Sequence, residues 1–250
     1  MHSPSLTPSD NSKVKFRTSH YNTFGLNFGL LSDGGTCPGA TQGAGGCLDV
    51  RTGKKRETCY MAKVVQIYKA VGTILDNNTK LIKDKPKEEI TQVLINTFQN
   101  FVDRNEKKYW FYRITYSGDI VSREFAEALV EACTRFPEVK FWLYTRSFTK
   151  QYPYADILVK APNLAVYLSL DPVNKLEGLE VYNRLKDKFN NIGLAHLSEP
   201  VNIDNVKFVP CPETYGKISN TAKRGACAAC RLCFTYNDKI KLRAIKFKLH

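Results

Sequence analysis

Apolar residues in this chain form short, nearly continuous runs that alternate with amphipathic stretches. The clearest runs are YWFYRIT, KFWLYT, NLAVYLSL and NIGLAHLS, and segments such as EEITQVLINTFQNFVDRN and VSREFAEALVEACTRF between them carry apolar residues at helical spacing. Continuous apolar strands separated by helices are typical of a parallel sheet covered by helices. We therefore predict an α/β fold with about six strands, arranged as a partial, TIM-like (β/α) barrel or a doubly wound sheet.

The chain divides into a short arm and one domain. Residues 1–12 are rich in Ser and Pro and predict a disordered arm, whereas 13–250 contain no repeat or long linker and predict a single α/β domain. A hydrophobic content of 43% excludes disordered, collagen-like and coiled-coil classes. No apolar run approaches the ~20 residues of a membrane helix, and the N-terminus lacks the apolar segment of a secretory signal. We expect a cytoplasmic protein that does not enter membranes.

Polar residues follow several of the predicted strands. In parallel α/β folds, reactive groups gather at this end of the strands, where the loops to the helices begin. Asp119, Arg146 and Glu199 are the candidate catalytic residues among them. Arg146 suits a carboxylate or phosphate group of a substrate, and Asp119 suits proton transfer or a substrate hydroxyl. The alternative for each residue is membership of a buried ion pair.

Eight cysteines are present, and an intracellular chain keeps its thiols reduced for metal binding or catalysis. The C-terminal cysteine group consists of Cys211, Cys227, Cys230 and Cys233, the last three spaced C-x2-C-x2-C. Thiolates at this spacing can hold one face of a [4Fe-4S] cluster. Four cysteines can also form a structural zinc site, but zinc ribbons usually present two separated C-x2-C pairs. The pattern favours iron–sulfur, with zinc as the alternative metal.

The N-terminal cysteine group, Cys37, Cys47 and Cys59, lies in a glycine-rich loop. Three ligands suit a cluster with one iron left open for a substrate, or they could share one cluster with the C-terminal group. The two groups together therefore predict one cluster or two. Cys133 follows Leu129 on the apolar face of a helix and is interpreted as a core residue.

The ordered cysteines and strand-end motifs resemble the phage- and plasmid-borne family named after phage gene product 88. The resemblance is carried by Thr36-Cys37-Pro38-Gly39-Ala40, Cys47, Cys59-Tyr60-Met61-Ala62, Ser117-Gly118-Asp119-Ile120, Tyr144-Thr145-Arg146 and Cys227-x2-Cys230-x2-Cys233. It implies a viral or mobile-element origin and iron–sulfur binding. More remotely, the chain is similar to radical S-adenosylmethionine barrels, although it lacks their C-x3-C-x2-C spacing. That similarity implies S-adenosylmethionine as a possible second cofactor.

Three functions fit these observations. The first is a [4Fe-4S]-dependent redox or radical-type enzyme with an unidentified small-molecule substrate. The second is a nucleic-acid-associated protein with a structural iron–sulfur or zinc site, because residues 201–250 hold ten Lys/Arg against three Asp/Glu, +7 of the net +13. The same lysines could instead protect an exposed edge strand. The third is an electron-transfer protein with a redox partner.

Overall fold

The computed structural model describes residues 3–8, 23–24, 35–42, 45–47, 50–51, 54–55, 60–197, 206–218 and 226–248. The predicted ligand Cys59 and the predicted catalytic residue Glu199 lie outside the described residues. Among the described helices, none is long and apolar enough to cross a membrane.

The described strands form one large sheet and one small antiparallel pair. The strands are β1 (Thr23–Phe24), β2 (Val50–Arg51), β3 (Lys54–Lys55), β4 (Phe111–Thr115), β5 (Lys140–Thr145), β6 (Leu164–Leu170), β7 (Ile192–Leu197), β8 (Phe208–Pro210) and β9 (Ala244–Phe247). The large sheet has the order β1-β4-β5-β6-β7-β9-β8, and every neighbouring pair in it is parallel. The predicted α/β class with a parallel sheet is confirmed. The described strands leave β1 and β8 as open edges, so closure into a barrel is not seen.

The helices are α1 (Tyr60–Ile67), α2 (Lys69–Ile82), α3 (Lys87–Arg104), α4 (Arg123–Thr134), α5 (Ala155–Leu158), α6 (Lys175–Leu185) and α7 (Ala226–Cys230). Ser122 caps the start of α4, because its hydroxyl accepts a hydrogen bond from the Phe125 N–H at 3.1 Å.

Side chains alternate between the two faces of the sheet along each central strand. On β5, Phe141 and Leu143 pack with Phe98 of α3 in the larger core, while Trp142 packs in a second, smaller core with Tyr167 of β6. We call these sides the helical face and the cysteine face. Cys133 of α4 lies fully buried in the helical-face core, and burial raises the pKa of its thiol, which confirms its predicted core role.

Strand β9 corrects the interpretation of the C-terminal lysines as protection for an edge strand. It lies inside the sheet, paired with β7 on one side and β8 on the other. Ile245 is fully buried, and the Lys246 carbonyl accepts a hydrogen bond from the Cys211 N–H at 2.8 Å. The short β8 forms the sheet edge instead.

Residues 3–8 differ from the predicted disordered arm. The Leu6 side chain is buried, and its N–H donates to the Thr97 hydroxyl of α3 at 2.8 Å. Thr7 exchanges two hydrogen bonds with the Asn78 side chain of α2, at 2.8 and 2.9 Å. These contacts hold residues 3–8 on the two helices.

Candidate functional site

The carboxyl ends of β4, β5 and β6 carry a connected set of polar side chains. Asp119 follows β4 and accepts three hydrogen bonds, from the Thr145 hydroxyl at 2.6 Å, the Ile120 N–H at 2.8 Å and the Arg146 N–H at 2.7 Å. Both carboxylate oxygens are therefore used. Asp119 joins the loop after β4 to the end of β5, and only 5% of the residue is exposed.

Burial raises the pKa of the Asp119 carboxyl above its ordinary value, and the hydrogen bonds from Thr145, Arg146 and Ile120 lower it in part. An aspartic acid with a raised pKa keeps its proton closer to neutral pH, as proton transfer requires. Burial thus raises the pKa of Asp119 in the direction that proton transfer would need, and its hydrogen bonds hold the loop after β4 on the end of β5.

Arg146 forms a partly buried ion pair with Asp171, which follows β6. The Arg146 Nη1 contacts the Asp171 Oδ2, and the Thr41 hydroxyl donates to the same oxygen at 2.5 Å. The other Asp171 oxygen accepts from the N–H groups of Val173 and Asn174 at the start of α6. Arg146, whose side chain is 14% exposed, is therefore a member of an ion pair.

The loop that carries the N-terminal cysteines is docked on this set. The Thr36 carbonyl accepts a hydrogen bond from the Asp119 N–H at 2.8 Å, and the Cys47 N–H donates to the Thr41 hydroxyl at 2.9 Å. Gly39 lies so close to the end of β5 that an added Cβ would be 2.0 Å from the Arg146 carbonyl oxygen. Cys37 and Cys47 are thereby held, half-buried, beside the carboxyl edge. We call Thr41, Asp119, Thr145, Arg146 and Asp171 the carboxyl-edge site.

Two buried hydroxyls at this edge have no hydrogen-bond partner within the described part of the chain. They belong to Thr36, next to Cys37, and to Ser117, which lies between β4 and Asp119. Buried polar groups are normally paired with protein or water, so these two hydroxyls depart from the usual pairing.

The C-terminal cysteines come together on the cysteine face. Cys211 directly follows β8, Cys227 and Cys230 lie on α7, and Cys233 lies in the short 3-10 turn Leu232–Phe234. Three of them, Cys211, Cys227 and Cys233, pack against the core of this face. Cys211 and the C-x2-C-x2-C segment therefore lie on the same face of the sheet.

Two aromatic contacts fix this cysteine segment to the sheet. The Phe234 ring stacks on Phe111 of β4 at 4.6 Å and lies 4.8 Å from the Trp142 ring of β5. Arg231 adopts a left-handed φ of +58°, which turns the chain between α7 and the 3-10 turn, and its guanidinium lies over the Phe111 ring. Packing therefore positions the cysteines.

The four thiols are close enough to affect one another's ionisation. Burial raises the pKa of Cys233 most, and the neighbouring Cys227, Cys211 and Cys230 raise it further, whereas a hydrogen bond from Tyr144 lowers it. The Tyr144 hydroxyl donates to the Cys233 sulfur at 2.9 Å. Burial also raises the pKa of Cys230, and Cys211 contributes. In the residues that the structure describes, no group of three or more His, Cys, Asp or Glu is arranged to hold a single metal ion.

Sequence reasoning did not select Thr41, Tyr144 or Tyr167 as site residues. Asp171 follows an apolar strand as Asp119 and Arg146 do, and this signal places it at the same rim, although not with a catalytic role. Tyr144 of β5 is paired with Tyr167 of β6 on the side of the sheet that faces the cysteines, and the centres of their rings lie 5.3 Å apart. Thr41 gives no signal, because its partner Asp171 is 130 residues away in the chain.

Replacing Asp119 by Asn should lower the free energy of unfolding by about 2 kcal/mol, because a buried donor would lose its acceptor. Whichever way the amide is turned, its NH2 faces a backbone N–H, of Ile120 or of Arg146. Urea denaturation measures the loss. The exposed Asp76→Asn on α2 is the matched control and should stay within about 0.5 kcal/mol of the parent. Equal effects of the two substitutions would show that Asp119 is not an essential acceptor.

Comparison with known proteins identifies the family that the chain resembles. The family model described as gene product 88 matches residues 5–236. The Gene 88 protein of Mycobacterium phage D29 is 31% identical over 233 residues, covering 90% of this chain and 88% of the relative. The Gene 88 protein of Mycobacterium phage L5 is 32% identical over 220 residues, covering 85% and 82%. No solved structure matches. The chain therefore belongs to the gene product 88 family, which includes these mycobacteriophage proteins.

Proposed function

We propose that this protein is an iron–sulfur protein, and that its C-terminal cysteine group holds a [4Fe-4S] cluster for a redox or radical-type reaction on a small-molecule substrate. The observation that carries the proposal is the meeting of four thiols, from two separate segments, on one face of the sheet. Four cysteine thiolates are the usual ligand set of such a cluster.

The groups around the four thiols are chemically suited to a [4Fe-4S] cluster, although no group of described residues is arranged to hold a single metal ion. Burial raises the pKa of the Cys230 and Cys233 thiols, whereas coordination to a metal deprotonates a thiol outright. Tyr144 O–H and Leu232 N–H both act on cysteine sulfurs, and donors of this kind stabilise thiolate ligands. When bound, a [4Fe-4S] cluster takes up and releases one electron at a potential set by these surroundings.

Side chains of the cysteine face would stabilise the reduced, more negative state of a bound cluster. Tyr144 donates to Cys233, and the Arg113 guanidinium lies 5.3 Å from the centre of the Tyr144 ring. The Tyr167 hydroxyl is buried without a hydrogen-bond partner in the described residues, and it interacts electrostatically with Cys233 and Cys230. It is therefore available as a second donor toward the cysteine sulfurs.

The carboxyl-edge site favours an enzyme over a simple electron carrier. Arg146 uses Nη1 for Asp171 and Thr41, and its other side-chain nitrogens have no partner among the described residues. A carboxylate or phosphate of a substrate could bind these nitrogens. We assign substrate binding to this edge, within a sheet that we interpret as an incomplete TIM-like barrel.

Other parts of the expected function remain predictions. These are catalytic participation of Glu199, a second cluster on Cys37, Cys47 and Cys59, and binding of S-adenosylmethionine. We place the protein in the cytoplasm of an infected host cell, where thiols stay reduced. Structural zinc is the competing metal assignment.

The deciding experiment is the iron and acid-labile sulfide content of the full chain, purified and reconstituted without oxygen. One cluster would give about four irons and four sulfides per chain, and two clusters about twice that, with an EPR signal on reduction. Stoichiometric zinc, or no metal, would overturn the proposal. Addition of S-adenosylmethionine to the reduced protein tests the radical-type branch, which an intact cluster without any 5′-deoxyadenosine formation would exclude.

A further inference from the structure

A cavity of ≈ 560 Å³ lies at the amino ends of β8 and β9. Lys207 precedes β8 and lines the cavity, whereas Cys211 follows β8, so the cavity and the cysteine group lie toward opposite ends of this strand. The lining residues are Tyr182, Lys186, Val206, Lys207, Val209, Leu242, Arg243 and Ala244. This combination is an apolar floor with an aromatic ring and three cations, and neither the cysteines nor the carboxyl-edge site use it.

The described lining of the cavity carries three positive charges and includes no acidic residue. Lys207 and Arg243 are exposed without a described ion pair. The Lys186 amine has neutral partners, the Asn183 side-chain oxygen at 2.7 Å and the Tyr182 ring, whose centre lies 5.7 Å away. Asp187, the acid next to Lys186 in the chain, pairs with Lys241 at 3.2 Å and also interacts electrostatically with Tyr182.

We propose that this cavity binds a nucleotide unit, a function beyond the redox role. Its volume falls within the range of small-molecule sites. Lys186, Lys207 and Arg243 supply the donors that a phosphate needs. The apolar side chains of the floor supply a surface against which a base can pack.

The nucleotide unit has two sources, a free mononucleotide or a residue within single-stranded nucleic acid. A strand would also contact other cations of the basic C-terminal region, and its binding would weaken steeply with salt. A mononucleotide fills the cavity alone. Two probes therefore distinguish them: dAMP, followed by calorimetry, and a fluorescein-labelled single-stranded DNA 12-mer, followed by anisotropy across a salt series.

The test compares two double variants that remove the same charge. Lys207→Gln/Arg243→Gln alters the cavity, and Lys69→Gln/Lys80→Gln alters exposed positions on α2. We expect the cavity variant to weaken binding of dAMP, of the 12-mer or of both by at least roughly tenfold, because charge-assisted hydrogen bonds are lost. The α2 variant should weaken binding by less than about twofold. Near-ultraviolet circular dichroism checks that both variants are folded.

The pattern of binding identifies the source. Binding of dAMP that depends on the cavity residues supports a free nucleotide. Binding of the 12-mer alone, with a salt dependence that the cavity variant reduces, supports a strand. Absence of binding by both probes, or equal weakening by the two double variants, would overturn the proposal. Iron content is measured on the same samples, so failure of the cavity proposal is distinguishable from failure of the cluster proposal.

Discussion

Simultaneous replacement of Cys227, Cys230 and Cys233 by serine is expected to remove about four irons and four sulfides per chain. Serine hydroxyls are not ionised near neutral pH and are poor ligands for a site that thiolates occupy. Cys211 alone could not retain a cluster. If the N-terminal group holds a second cluster, its iron remains, and the difference between parent and variant still equals one cluster.

The same variant should lose order in α7, residues 226–230, whereas Phe234 keeps its contacts with the sheet. Helix α7 has five residues, too few to be stable by itself, and the segment is attached to the sheet through Phe234. Because metal binding is coupled to folding, the reconstituted parent should melt at a higher temperature than the reconstituted variant. Metal analysis and thermal denaturation measure the two effects.

Cys133→Ala is the matched control, because Cys133 is a cysteine of the same chain in the helical-face core. It should keep the full iron content and lose only about 1 kcal/mol of stability through a small cavity. If Cys133→Ala lost as much iron as the triple variant, the loss would reflect general destabilisation. Unchanged iron in the triple variant would exclude the C-terminal group as the cluster site.

Replacing Gly39 by Ala should detach the N-terminal cysteine loop from the carboxyl edge. The added Cβ would lie 2.0 Å from the Arg146 carbonyl oxygen and 2.3 Å from its carbon, and both are backbone atoms. The end of β5 cannot move away easily, because the Arg146 N–H is bound to Asp119. We expect the free energy of unfolding to fall by about 3 kcal/mol, as for an overpacked site.

Detachment of the loop should also expose Cys37 and Cys47. Their alkylation rates, followed by mass spectrometry, should rise well above those of the parent, while buried Cys133 stays protected. The matched control is Gly216→Ala: its φ of +72° disfavours alanine, but an added Cβ would meet no atom within 4 Å. That control should cost about 1 kcal/mol from backbone conformation alone. Slow alkylation of Cys37 and Cys47 in Gly39→Ala would contradict the docked position of the loop.

Part of the candidate site follows from local sequence signals. Asp119 and Arg146 lie together because each follows a parallel strand, and the carboxyl ends of parallel strands meet at one edge. The short C-x2-C-x2-C spacing likewise keeps three cysteines near one another in any fold. The residues that contact these side chains could not be found from local sequence signals. Tyr144 meets Cys233 across 89 residues of chain, and Thr41 meets Asp171 across 130.

The sequence by itself determined the alternation of strands and helices, the α4 cap at Ser122 and the core position of Cys133, because hydrophobic periodicity and capping act over a few neighbouring residues. Only the tertiary structure decided the insertion of β9 between β7 and β8 and the docking of residues 3–8 on α2 and α3. These features depend on contacts between segments far apart in the chain. Such contacts form only when the whole sheet is assembled, so no local pattern encodes them.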